Sequence, residues 1–107
     1  MDIEKVILFQ IYLNSIFGDN KLSLSEFSEK FLKEEIKNSL NISISKLKFA
    51  RAVEILENNE IIKKSSKHHL TTLNSWRITN KCKVIFNNLS NKKISNFEEF
   101  NLEFYLR

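Results

Sequence analysis

The sequence predicts a single, mainly helical domain that carries one small β-hairpin. Apolar residues recur at helical spacing in four segments, and hydroxyl residues stand where they can cap three of them. Between the third and fourth segments, an isoleucine pair followed by lysines and the alternating stretch SWRIT indicate two short strands. A chain of 107 residues, 42% of them apolar, can bury one core, so one domain over residues 1–107 is expected.

The first helix is predicted over residues 2–17, where no Gly or Pro interrupts the chain. Its apolar residues form two neighbouring stripes, which are Val6, Phe9, Leu13 and Ile16, and Ile7, Leu8, Ile11 and Tyr12. A surface helix needs only one such stripe. Either the helix is buried in its own domain, or one stripe packs on the core and the other on a second subunit. The GDN stretch at residues 18–20 is expected to end the helix by a left-handed turn.

The second helix is predicted to begin near Leu24, because Ser23 and Glu26 match a capping box in the stretch KLSLSEFSEKF. Phe27 and Phe31, four residues apart, would then share one face of the helix. The ten residues that follow either extend this helix or form a separate short one.

The third helix is predicted within SISKLKFARAVEILENN, where Ser43 or Ser45 can serve as the cap. Four residues follow the i, i+3, i+4, i+7 pattern of a core-facing side, namely Phe49, Ala52, Val53 and Leu56. The side chains expected to point away from the core are Lys46, Lys48, Arg51 and Glu54.

A hairpin and a fourth helix are predicted next. Residues 61–64 and SWRIT are expected to be its strands, joined by the polar stretch SSKHHLTTLN. Trp76 is expected to be a core anchor, with ligand stacking as the alternative, and Arg77 points to the other face. Thr79 is expected to cap the fourth helix, whose predicted apolar side is Val84, Ile85, Phe86 and Leu89.

The tail over residues 94–107 admits two interpretations. Ser95 and Glu98 fit a capping box, which favours a helix. A strand is favoured by the alternation of Phe100, Leu102, Phe104 and Leu106. A segment this apolar is not expected to stay free in water, so it should dock on the domain or on a partner.

Charge is concentrated in the middle of the chain. The net charge is +4, but residues 1–40 carry −2, residues 41–93 carry +8 and residues 94–107 carry −2. A basic centre predicts an anionic partner there.

Several classes of protein are disfavoured by the composition. No apolar run reaches the ~18 residues of a spanning helix, and the start lacks the pattern of a signal peptide. A lone cysteine cannot form an internal disulfide, so a reducing, cytoplasmic location is expected. Cys82 is expected to be a small buried residue, with a thiol sensor as the alternative because Lys81 and Lys83 flank it. With no catalytic constellation and no nucleotide loop, neither an enzyme nor a cofactor is predicted.

Three segments resemble parts of one known family. LSLSEFSEKF is similar to its second helix, RAVEILENNEIIKK to the end of its recognition helix and first wing strand, and WRITNKCKVIF to its second wing strand and the helix after it. The family is that of winged helix-turn-helix proteins, particularly MarR- and PadR-like transcription regulators. The resemblance spans residues 22–89, and residues 94–107 remain as a docking or dimerisation tail.

The chain departs from this family in two respects. Glycine is usual where Glu60 and Cys82 stand, and a left-handed backbone is costly for any other residue. Asn58 or Asn59 is therefore the alternative carrier of the turn conformation at the end of the recognition helix. The stretch over residues 32–41 is also longer than the usual link between the two helices.

The resemblance implies a double-stranded DNA-binding surface made of the recognition helix and the wing. A helix in the major groove needs short or polar residues near its start and bases beside the phosphates. The candidates on the helix and before it are Ser43, Ser45, Lys46, Lys48 and Arg51. Those on the wing are Lys63, Lys64, Lys67, His68 and His69.

Each candidate group also has a plainer interpretation. Arg51 can grip a guanine in two places, but it can equally pair with Glu54 or Glu57 on the surface of its own helix. The basic hairpin can be a solvated loop. His68 and His69 have too few neighbouring ligands to predict a metal site.

The first functional hypothesis is a sequence-specific DNA-binding protein, acting as a dimeric transcription regulator whose two recognition helices enter successive major grooves. The first helix and the tail would hold the homodimer, with Ile11, Tyr12, Phe100 and Phe104 in the contact. A second hypothesis is a winged-helix module that binds protein, which the apolar first helix and tail favour. A third is the DNA-binding domain of a replication initiator from a mobile element. No effector is indicated.

Overall fold

Four helices and a three-stranded antiparallel sheet make up the part of the chain that the computed structural model describes, which is residues 2–17, 27–65, 75–94 and 96–100. The helices are α1 (Ile3–Phe17), α2 (Glu29–Leu40), α3 (Lys46–Asn58) and α4 (Asn80–Asn91). The strands are β1 (Phe27–Ser28), β2 (Ile62–Lys64) and β3 (Ser75–Ile78). The predicted class, mainly helical with a small β component, is confirmed.

The apolar side chains of α1 that the structure describes are buried or partly buried within one chain. Ile11 and Tyr12 are fully buried, as are Val6, Ile7 and Leu8. The helix packs against α2 and α3, and the segment after α4 covers its remaining side. The prediction that Ile11 and Tyr12 lie in a contact with a second subunit is therefore wrong, and α1 is a helix buried in its own domain. The turn predicted at residues 18–20 lies outside the described residues.

The second helix begins at Glu29, so the prediction of a start near Leu24 is wrong. Ser28 has an extended backbone, and its hydroxyl accepts a hydrogen bond from the N–H of Phe31, which makes it the N-cap. The capping box assigned to Ser23 and Glu26 lies outside the described residues. From Glu29 the helix runs unbroken to Leu40, so the stretch over residues 32–41 extends the helix and does not form a separate one.

The sheet contains a strand that was not predicted. β1 pairs with β3 so that Phe27 stands opposite Trp76, and their rings stack with centroids 6.5 Å apart. Phe27 therefore belongs to the sheet and does not share a helix face with Phe31, which is 39% exposed. On the helical side, the ring of Phe49 of α3 contacts the ring of Trp76, with centroids 5.9 Å apart. Trp76 is buried, as expected of a core anchor.

The third helix follows the prediction closely. Ser45, and not Ser43, is the N-cap, since its hydroxyl accepts the N–H of Lys48. The predicted core-facing residues Phe49, Ala52, Val53 and Leu56 are all buried. After Asn58 the chain reverses through Glu60, whose φ of 59° places it in the left-handed region. Glu60 itself therefore takes this conformation, and the alternative of Asn58 or Asn59 is wrong.

The fourth helix starts from the predicted cap. The hydroxyl of Thr79 accepts the N–H of Cys82, and the buried residues on the inner side are Cys82, Ile85, Phe86 and Leu89. Val84 is 59% exposed, so its assignment to the apolar side is wrong. It stands two residues after Cys82, which on an α-helix is about 200° away from the buried face. None of the helices in the described ranges has the length and apolar content needed to span a membrane.

Candidate nucleic-acid interface

Charge is divided along the length of α3. Its first half carries three exposed bases and no acid, which are Lys46, Lys48 and Arg51. From residue 54 to the end of the turn the charged residues are acids, namely Glu54, Glu57 and Glu60. The N-terminal end of α3 is therefore the basic end of the helix.

The helix dipole adds to this asymmetry. The unpaired N–H groups at the start of a helix carry partial positive charge and favour anions. Ser45 satisfies one of them, the N–H of Lys48 at 3.2 Å, and its own side chain is exposed. Backbone and side-chain charge thus have the same sign at this end of α3, which is the arrangement that binds phosphate.

Arg51 is not held in a salt bridge on its own helix. Within the described ranges the one ion pair links Lys33 to Glu29 on α2, at 3.0 Å. The alternative in which Arg51 pairs with Glu54 or Glu57 is therefore not the arrangement in this structure. The guanidinium is exposed and can reach a ligand.

An open groove separates α3 from the start of α1. Ser43, Lys48 and Arg51 line it, so three of the predicted site residues are brought together there. Asp2 and Glu4 line the same groove, and their carboxylates lower the positive potential on that side of α3. An anion is therefore expected to bind over the exposed first turn of α3 and not deep in this groove.

The hairpin contributes a second basic surface. Lys63 and Lys64 are exposed on β2, and Lys63 stands directly across from Arg77 on β3. Like charges directly opposite each other in a sheet are destabilising, and a bound anion would relieve the repulsion. Lys67, His68 and His69 lie outside the described residues.

Arg77 was missed as a candidate for binding. Its Nε is buried and has no hydrogen-bond partner among the described residues. The alternation of SWRIT already placed Arg77 on the face away from Trp76 and Ile78. The sequence could not predict the register between β2 and β3. This register places Arg77 opposite Lys63, so two positive charges face each other across the hairpin.

Two further bases flank the link between α2 and α3. Lys33 and Lys37 of α2 line an open depression together with Ser43. The Lys37 ammonium donates to the side-chain oxygen of Asn41 at 3.2 Å, and Asn41 has a left-handed backbone with φ of 55°. Ser43, which does not cap α3, is exposed and lines both this depression and the groove beside α1.

Cys82 does not contribute to this interface. The Cys82 side chain is fully buried, and burial raises the pKa of its thiol to about 12. A thiol that stays protonated at neutral pH is a poor nucleophile, so the thiol-sensor alternative is disfavoured. Among the described residues there is no group of three or more potential ligands that could hold a metal ion.

In comparisons with known proteins, no family model, no curated protein and no solved structure matches the chain.

Proposed function

We propose that this protein binds double-stranded DNA in a winged helix-turn-helix arrangement and acts as a transcription regulator. The observation that carries the proposal is the division of charge along α3. Exposed bases and a capped helix start occupy the end of the helix that enters the groove in helix-turn-helix proteins, and the acids stand at the other end.

The order of the elements supports the same proposal. α2 and α3 are consecutive helices joined by the short link of residues 41–45, and an antiparallel hairpin follows α3 directly. β1 adds a third strand beside β3 and ties the start of α2 to the hairpin. A recognition helix must stop sharply for the chain to return as a wing, and the left-handed turn at Glu60 provides that stop.

The proposed contacts differ in kind. Arg51 would grip a guanine through two hydrogen bonds in the major groove. Ser45 and Lys46, at the start of the helix, would hold phosphates, as would Lys63 and Lys64 on the hairpin. Phosphate contacts fix the register of the protein on the duplex, and base contacts carry the sequence preference.

A protein partner is less well supported than DNA. The sequence features that favoured it were the apolar first helix and the apolar tail. Phe100 is fully buried, and its ring contacts the rings of Phe9 and Tyr12, each at 5.2 Å. The apolar surface of α1 is thus used inside the chain. A replication initiator would use the same DNA chemistry and shares this support.

The test is duplex binding as a function of salt. A labelled duplex of mixed sequence should bind at low ionic strength, and log affinity should fall with log salt at about −0.9 per phosphate contacted. Lys46→Ala should make this slope shallower by about 0.9, which corresponds to the loss of one phosphate contact. Lys92→Ala removes an exposed lysine after α4 and should leave the slope unchanged. Absence of duplex binding at low salt would overturn the proposal.

A further inference from the structure

Leu47 is an exposed leucine at the centre of the basic end of α3. Its side chain is 62% exposed, although the other large apolar residues near it on the helix, Phe49 and Val53, are buried. It stands between Lys46 and Lys48 in the first turn. Two positions separate it from Phe49, which on an α-helix sets it about 200° from the core-facing side.

The fold does not require an apolar side chain at this position. Leu47 is not part of the buried core, and an exposed alanine, Ala50, follows one turn later on the same outer side of the helix. Arg51 lies four residues after Leu47, next to Ala50. The outer side of the first two turns is thus a small apolar strip with one guanidinium beside it.

The charges around the strip indicate which kind of partner it binds. The centre of a protein–protein contact is depleted of charged residues, whereas Leu47 is flanked by two lysines, with Arg51 one turn away. A polyanion fits these cations. Among the edges of the DNA bases in the major groove, thymine is the one that presents a methyl group, and apolar side chains contact it.

We propose that Leu47 and Ala50 read the C5-methyl groups of thymines, and that Arg51 reads a guanine next to them. The inference rests on the proposed DNA binding and goes beyond it, because it names the base pairs that the first two turns of α3 prefer. The preferred site then contains at least one thymine, close to a G·C pair, whose methyl group faces Leu47.

The test removes the methyl group without changing the base pairing. The preferred duplex is first selected from a random library with the full-length protein, and each thymine in it is then replaced in turn by deoxyuridine. Burying one methyl group stabilises by about 0.8 kcal/mol, so affinity should fall roughly fourfold at a contacted thymine. At the other thymines it should not change.

Variants assign the effect to Leu47. Leu47→Ala should bind the thymine and deoxyuridine forms of the contacted position alike, and the exposed site should tolerate the change because alanine is a strong helix former. Val84→Ala is the matched control, since Val84 is as exposed as Leu47 but lies on α4, and it should keep the full discrimination.

The outcomes separate the inference from the function on which it rests. If a duplex is selected but every deoxyuridine form binds equally well, the methyl-reading role is overturned and DNA binding stands. If no duplex binds at low salt, both are overturned. If Leu47→Ala keeps the discrimination and instead changes the sedimentation of the free protein, the strip is a protein contact and the inference is overturned.

Discussion

The hydroxyl of Thr79 donates a hydrogen bond to the backbone carbonyl of Glu60, nineteen residues earlier in the chain. The backbone N–H of Thr79 also donates to the carbonyl of Ile61 at 3.0 Å, and the ammonium of Lys81 donates to that of Asn59 at 2.9 Å. The start of α4 thus holds the turn between α3 and β2. This connection fixes where α3 ends and where the hairpin begins.

Glu60→Gly should stabilise the protein. Glu60 has a φ of 59°, where a residue with a Cβ is strained and glycine is not. The expected gain in the free energy of unfolding is about 1 kcal/mol, measured by urea denaturation. Glu57→Gly is the control, because Glu57 lies inside α3 and glycine there should destabilise by a similar amount. A loss of stability in Glu60→Gly would contradict the account of this turn.

Thr79→Ala should destabilise the protein by about 1–2 kcal/mol. The change removes the N-cap of α4 together with the hydrogen bond to Glu60. Thermal unfolding of the variant beside the wild type measures the loss. Ser90→Ala, an exposed change in the last turn of α4, should have little effect, and equal stability of both variants would show that Thr79 does not hold the turn.

Cys82 should resist thiol reagents in the folded protein. Burial raises the pKa of its thiol to about 12, above its ordinary value of 9.0, so the thiolate is scarce near neutral pH. Labelling by iodoacetamide at about pH 8 should be slow in buffer and fast in denaturing urea, because unfolding restores the ordinary pKa. Rapid labelling of the native protein would contradict the burial of Cys82.

The raised pKa of the Cys82 thiol also makes the stability of the protein depend on pH in the alkaline range. Between about pH 9 and pH 12 the folded thiol keeps its proton, whereas the unfolded thiol has lost it. The contribution of Cys82 to the free energy of unfolding is therefore fully present below about pH 9 and is lost as the pH rises towards 12. The difference in free energy of unfolding between wild type and Cys82→Ala should therefore shrink above pH 9. A constant difference up to pH 11 would exclude this linkage.

Phe100→Ala should destabilise the protein by about 3–5 kcal/mol, because the ring is fully buried among aromatic neighbours. Denaturation measures this loss. Asn96→Ala is the control on the same segment, since Asn96 is exposed, although its side chain accepts the N–H of Glu99. If Phe100→Ala is as stable as Asn96→Ala, the docking of this segment on α1 is wrong.

The homodimer remains a prediction, but Ile11, Tyr12 and Phe100 cannot hold it. All three are fully covered within one chain, and the Tyr12 hydroxyl donates to the carbonyl of Ile94. Removal of the chain from Ser95 onwards should therefore uncover the core and cause unfolding or aggregation. A stable, folded monomer after this truncation, seen by sedimentation, would contradict the account.

Arg51→Ala and Lys63→Ala should have different effects on DNA binding. Loss of a guanidinium that grips a base should relax the sequence preference and cost about 1–3 kcal/mol on the preferred duplex. Loss of a phosphate contact at Lys63 should weaken all duplexes alike. Competition between the preferred duplex and a scrambled one measures both effects, and unchanged discrimination in Arg51→Ala would place the base-reading surface elsewhere.

The helices could be predicted because their signals are local. The core-facing side of α3 follows from its periodicity, and the caps at Ser45 and Thr79 follow from hydroxyl residues in front of apolar repeats. β1 could not be predicted, because two residues carry no periodicity and Phe27 joins the sheet only through its pairing with Trp76. The sequence left the burial of α1 as one of two alternatives, since some of the residues that cover it come from the other end of the chain.

The residues of the candidate site could also be predicted only in part. The bases of α3 were visible as a charged stretch, but Arg77 became a candidate only when the register set it opposite Lys63. Leu47 lies outside the apolar repeat of α3, so its position on the outer side follows from the periodicity. The extent of its exposure, 62%, depends on the packing around the helix.

The most direct test of the central claim is to map the surface that duplex DNA touches. Backbone amide shifts of the labelled protein should be followed by NMR during titration with a short duplex at low salt. If DNA binds as proposed, the largest changes should occur over residues 43–51 and on β2, with little change at the acidic end of α3 and over residues 96–100. Changes confined to α4 or to residues 96–100, or no changes at all, would contradict it.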